Sequence, residues 1–166
     1  MKARNCDLQF DRSAGLVGAS MRDAQISDSS TDEYLKTYNI IHLGEMIFEG
    51  HSSKEYKSGR FVVNDYRPGI VSHVFDVFQF KKKVDISFSK RYFHSERVMG
   101  KILQRSTSSA RMLNALDLPQ FLKQNIHLPA LQEQKKIGDL FNGIDTLIAS
   151  NQRKQLPRKI HLEEPP

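Results

Sequence analysis

Leu128-Pro129-Ala130-Leu131-Gln132-Glu133-Gln134-Lys135-Lys136-Ile137 divides the chain into two kinds of sequence. Upstream, apolar residues come in short clusters separated by turn formers. Downstream, they recur with helical spacing. Pro129 has no backbone N–H and pushes Leu128 towards extended geometry, so the preceding segment closes there. From Leu131 the residues are good helix formers. Ile137, Leu140, Ile144 and Leu147 then stand at 3-4-3 spacing, an apolar seam of about two heptads that suits either a partner helix or the chain's own body. Pro157 is expected to stop this helix, and Glu163-Glu164-Pro165-Pro166 reads as a frayed tail. The expected boundaries are a body over 1–129, a helix over 130–156 and a tail over 157–166.

Working back from the junction, the body alternates strand and helix signals. Tyr38-Asn39-Ile40-Ile41 and Met46-Ile47-Phe48 are short β-like runs with Leu43-Gly44-Glu45 as a turn between them. Arg60 to Asn64 is another such run. Ile70 to Phe80 is rich in valine and phenylalanine on both faces, which predicts a central strand covered on both sides. Asp85 or Ser87 can cap a following helix carrying Phe88, Tyr92, Met99 and Ile102. Gln104 to Arg111 reads as a serine- and threonine-rich loop. Asp117-Leu118-Pro119 opens a short helix, and Asn125 to Leu128 a brief strand. The fold class expected is α+β: a mixed, partly curved sheet with flanking helices, then a C-terminal helix. No internal repeat is visible.

Composition sets outer limits. The 166 residues are 39% apolar and 27% charged, as in globular chains. No apolar run approaches the length of a membrane span, so no membrane is expected. The first residues lead into polar sequence without the apolar core of a signal peptide, and Cys6 is the only cysteine, which fits a reducing cytoplasm. The net charge of +6 is unevenly spread. Residues 51–111 hold thirteen basic and five acidic groups, whereas 1–50 hold five and eight. A concentrated positive field attracts polyphosphates; the alternative is lysines that merely face water.

Several chemistries lack their residues. There is no glycine-rich nucleotide loop, and the six scattered histidines with one cysteine do not form a zinc set, so neither cofactor nor metal is expected. Glu55-Tyr56-Lys57, with Asp32 upstream, matches the acid-x-lysine end of metal-dependent nuclease sites, but no proline precedes Asp32 and the surroundings do not read as a β-hairpin core, so a solvated loop is the preferred reading. Two polar loops remain. The first offers Ser53, Lys54, Lys57 and Arg60; the second offers Arg105, Ser108, Arg111 and Asn114. Arginine and lysine can hold phosphates, arginine can grip guanine, asparagine can pair with adenine, and small hydroxyls allow close approach. Ordinary flexible loops would look the same.

The order of motifs resembles a known family. The junction is similar to the Pro-Leu-Pro-x-x-Glu-Gln-x-x-Ile step of the specificity subunits of type I restriction-modification enzymes. Upstream, the resemblance runs through Tyr38, Gly44-Glu45-Met46-Ile47-Phe48, Ser52-Ser53-Lys54 and Gly69-Ile70-Val71-Ser72-His73-Val74-Phe75-Asp76-Val77-Phe78. It continues through Arg91-Tyr92-Phe93, the 105–114 loop and Phe121 to Pro129, covering about residues 5–154. Glu49 or Gly50 stands where the family usually has asparagine, and Ala110 where its second loop has glycine.

The resemblance implies a single target-recognition domain, a half-subunit or fragment, that reads one half of a split duplex DNA target and is not itself catalytic. Methylation and cleavage would belong to partner methyltransferase and restriction subunits. Taken with the residue chemistry of the two loops, the expectation is that Lys54, Lys57 and Arg105 mainly hold phosphates while Arg111 and Asn114 read bases. The seam of Ile137, Leu140, Ile144 and Leu147 would face a partner helix, including that of a second copy. The rival from another class is a helix-mediated scaffold that reads no DNA.

Overall fold

A computed structural model describes residues 3–13, 16–27, 29–110 and 113–155. In chain order the elements are β1 (Leu16–Val17), β2 (Asp23–Ala24), α1 (Asp32–Leu35), β3 (Asn39–Ile41), β4 (Met46–Glu49), β5 (Arg60–Val63), β6 (Gly69–Val71) and β7 (Val77–Phe78). Then follow α2 (Ile86–His94), α3 (Glu96–Ser106), β8 (Thr107–Ala110), β9 (Leu113–Leu116), α4 (Leu118–Leu122) and α5 (Leu131–Gln155). The fold is α+β. A four-stranded sheet, ordered β2-β1-β6-β3, is mixed: β6 runs parallel to β1 and antiparallel to β3. A three-stranded antiparallel sheet is ordered β5-β4-β7, and β8 and β9 form a separate hairpin.

Period-two alternation explains how the layers join. On β4, Met46 and Phe48 point into a cluster with Phe61 and Val63 of β5, Phe93 of α2, Met99 and Leu103 of α3, and Phe121 of α4. Ile47, between them, points the other way and packs with Val17, Met21, Ile41 and Val71 of the mixed sheet. One short strand thus shares its two faces between two of the three buried clusters. Phe61 is the centre of the first, with the Phe48, Phe78 and Phe121 rings 5.0–5.6 Å away.

Three expectations need correction. Ile70 to Phe80 is not one strand: Phe75 N–H donates to Ser72 O, and this turn sends β6 and β7 into different sheets. Apolar residues fall on both faces because each half lies between two clusters: Ile70 packs with Leu35, Tyr38 and Ile40, Val71 and Val77 share the cluster of Ile41 and Ile47, and Phe78 packs against that of Phe61. Gln104 to Ala110 is not a loop either, and Arg111 lies outside the described residues. α3 runs through Arg105 to Ser106, and the serine-rich segment over Thr107–Ala110 is a strand paired in register with β9. Asn125 to Leu128 forms no strand; it has no strand beside it, and Tyr92 Oη donates to His127 O at 2.5 Å instead.

The caps behave as expected. Phe88 N–H donates to the Asp85 carboxylate at 2.8 Å, and Gln120 N–H donates to that of Asp117 at 3.1 Å, each satisfying a first-turn donor. Ser95 interrupts the expected single helix with an extended backbone, φ −72° and ψ 118°, separating α2 from α3.

The opening junction is a staple as well as a boundary. Gln134 is buried; its amide Nε2 donates to Pro129 O at 2.9 Å, and its Oε1 accepts from Asp85 N–H at 3.1 Å. One turn later Gly138 lies so close to α2 that a Cβ there would stand 2.6 Å from the Asp85 carboxylate. Beyond it, Arg91 donates to Asp145 at 2.5 Å and lies 5.2 Å from the Phe141 ring centre, while Asn142 donates to Ser87 Oγ at 3.0 Å. Residues 156–166, which include the expected helix stop and tail, lie outside the described residues.

Candidate nucleic-acid interface

Two polar segments far apart in sequence are joined through Asn114 and through a backbone bridge between His51 and Leu113. The 50–59 loop is shaped by its own hydroxyls: Glu55 and Tyr56 N–H donate to Ser53 Oγ, and Ser52 Oγ donates to Lys57 O at 3.0 Å. Gly59 closes it at φ +81°, a conformation costly for residues with a Cβ. Asn114 of β9 reaches across from the hairpin. Its amide donates to Gly50 O at 3.1 Å, to Ser52 Oγ at 2.8 Å and to Lys57 O at 3.4 Å, and its backbone N–H donates to Gly50 O at 2.8 Å. Gly50 is required by this approach, since a Cβ there would lie 2.1 Å from Asn114 O. The loop and the hairpin therefore form one composite surface.

The expected site residues fall on this surface with different freedom. Ser53, Lys54 and Lys57 are exposed on the loop. Arg105, at the last turn of α3, and Ser108, on β8, are exposed beside the hairpin. Arg111 lies outside the described residues. Asn114 is only 9% exposed and its amide is committed to the loop, so its geometry is that of a tie rather than of a group presented to a ligand. Arg60 is likewise engaged: its Nε donates to Glu49 at 2.6 Å, and its guanidinium lies 5.1 Å from the Tyr56 ring centre. Tyr56 in turn packs edge-on against His94 at 5.0 Å. On α5, Leu140, Ile144 and Leu147 are 64%, 40% and 66% exposed, with Ile148 beside them. Ile137 instead shares a small cleft with Phe88, Tyr92 and Val98 of the body.

Two neighbouring clefts flank the loop. One, of about 600 Å³, is edged by Met21, Val62, Arg22, Arg60, Lys90 and Asp65. Its cations are paired: Lys90 donates to Asp65 at 2.5 Å and Arg22 lies 3.5 Å from the same carboxylate. Burial alone would raise the Asp65 pKa, but the Lys90 hydrogen bond and both positive charges hold it below the ordinary value. The other groove, of about 480 Å³, runs between the loop and α3, with Lys54 and Lys57 on one wall and Arg97 and Lys101 on the other. Arg97 and Lys101 stand outside both polar loops and share i, i+4 spacing with Arg105 along α3. Among the described residues, no group of three or more His, Cys, Asp or Glu side chains could hold a metal. No helix there is long and apolar enough to cross a membrane.

An α+β body carries a composite polar surface flanked by a basic groove, with a helical arm docked against it. The model of the type I restriction modification DNA specificity domain matches residues 26–160, and the chain belongs to that family. The protein is thus a DNA target-recognition domain of the restriction-modification class. No curated protein matches it.

Proposed function

We propose that the body over 1–129 reads one half of a split duplex DNA target, without catalysis, and that the arm over 130–156 presents it to partner subunits in the cytoplasm. The methyltransferase and restriction subunits would supply methylation and cleavage. The observation that carries this reading is the Asn114 tie, which fuses the 50–59 loop and the β8–β9 hairpin into one exposed polar surface. On it Ser53 and Ser108 are small enough for base edges to approach, while Lys54, Lys57 and Arg105 hold phosphates. Arg60 and Asn114 shape the surface. Arg111 keeps its assignment as a base reader from residue chemistry alone.

Selection of duplexes from a random pool, repeated at rising salt, tests this directly. Enrichment of a short motif, with affinity falling steeply as salt rises, is expected. A selected pool with no shared motif would sink the reading. The exposed row of Leu140, Ile144, Leu147 and Ile148 also supports a second copy or a partner helix as occupant of the arm. Leu140→Glu with Leu147→Glu should abolish any self-association seen in sedimentation while leaving the selected motif unchanged. Retained dimers without motif enrichment would favour the scaffold instead.

A further inference from the structure

Most cations flanking the loop on the Asp65 side already have acidic partners, whereas those of the second groove do not. We infer that this groove clamps the sugar–phosphate backbone of a duplex strand, with Arg97 and Lys101 of α3 as one jaw and Lys54 and Lys57 as the other. This rests on the reading of the body as a duplex reader and adds a division of labour to it: the composite surface discriminates sequence, and the α3 groove supplies sequence-independent grip.

Three observations point this way. First, Arg97, Lys101 and Arg105 form an i, i+4, i+8 row, so the row extends over about 12 Å of helix and can meet more than one phosphate. All three are exposed, and none makes an ion pair with a described residue. Second, the row stands on a fixed support. Met99, Leu103 and Ser106 are buried on the opposite face, and Thr107 Oγ1 donates to Leu103 O at 2.8 Å at the helix end. A rigid helix positions long cationic side chains without ordering a loop. Third, the two acids that line the groove, Glu96 and Glu55, form no ion pair with its cations among the described residues. The Glu96 carboxylate lies over Gly100, where a Cβ would come 2.7 Å from Oε1, and Oε2 is buried without a hydrogen-bond partner. Glu55 is the other acid at the groove, against four cations. Unpaired like charges held together repel one another, and a polyanion relieves that cost by displacing its own counterions.

The test compares the full chain with Arg97→Gln/Lys101→Gln and with a charge-matched control, Lys135→Gln/Lys136→Gln, on the exposed face of α5. Fluorescence anisotropy would follow binding to a motif-selected duplex and to its scrambled counterpart between about 50 and 200 mM salt. The groove variant should weaken both duplexes by the same factor and keep the ratio between them. Its salt slope should fall by about two, so that it loses about tenfold less affinity over that salt range than the parent does. The control should keep the parent slope. Glutamine is compatible with exposed helix, so melting should match the parent in both variants. An unchanged slope in the groove variant, an equal fall in the control, or loss of discrimination with the slope kept would each overturn the clamp while the duplex-reading function stood. Absence of duplex binding by the parent would overturn both.

Discussion

Loop 50–59 separates two clefts that treat positive charge in opposite ways. On one side Arg22 and Lys90 share Asp65, and Arg60 has Glu49. On the other, Lys54, Lys57, Arg97 and Lys101 face one another across a groove without acidic partners among the described residues. The first arrangement fastens elements: Lys90 comes from α2, Asp65 from the turn after β5, and Arg22 from the turn before β2. The second fastens nothing and stores an unneutralised field. The basic excess of residues 51–111 is therefore not a uniform coat. Part is consumed as structure, and four of the other cations, Lys54, Lys57, Arg97 and Lys101, line one groove.

The contrast yields predictions of graded size. The largest effect belongs to the tie that holds the unpaired groove's loop in place. Asn114→Asp turns a donor into an acceptor facing three oxygens and should cost about 2–4 kcal/mol, read as a shift in urea midpoint. A midpoint within error of the parent would mean the loop is held by something else. Next comes Asp65→Asn, which removes the carboxylate shared by two cations on the paired side. It should cost about 1 kcal/mol at neutral pH, since these groups are partly solvated.

The same carboxylate predicts an acid signature. Because its folded pKa lies below the ordinary 3.8, its contribution is complete above that value and is lost as pH falls through the lowered one. Urea midpoints of parent and Asp65→Asn should therefore converge as the pH is lowered below about 4. Parallel curves down to pH 2 would contradict the pairing. Arg60→Lys should cost about 0.5–1 kcal/mol, because lysine keeps the charge but loses the planar stack on Tyr56. Smallest of all, Lys54→Gln with Lys57→Gln should shift stability by no more than about 0.5 kcal/mol. Destabilisation beyond about 1 kcal/mol would make these lysines structural and erase the contrast.

Much of this architecture was legible in local chemistry. Asp85 and Asp117 cap the helices expected of them, Gly44 turns the chain at φ +81°, and the helix begins at Leu131 as the proline junction implied. What local chemistry could not show was partnership. Ile70 to Phe80 reads as continuous because both halves are apolar, and only the sheet assignment reveals the break at Ser72 to Phe75. Thr107–Ala110 looks like a loop because its strand character comes from pairing with β9, not from β-branched bulk. In the candidate site, too, partnership was the part that local chemistry did not carry. Arg60 and Asn114 have the right chemistry for a nucleic acid, but Glu49, Tyr56 and Gly50 claim them first. Arg97 and Lys101, which the proposed clamp adds, sit on a helix rather than in a polar loop.

The seating of α5 carries a mechanical meaning. Gln134, Gly138, Arg91 and Asn142 fix the helix at several points over its first half, so it leaves the body as a cantilever rather than on a swivel. A 25-residue helix is about 37 Å long, and its far end keeps a set bearing relative to the loop-and-hairpin surface. Substituting Gly138 would tilt the whole beam from its root. A rotation of a few degrees there would move the distal end by several times more than it moves the surface beside it.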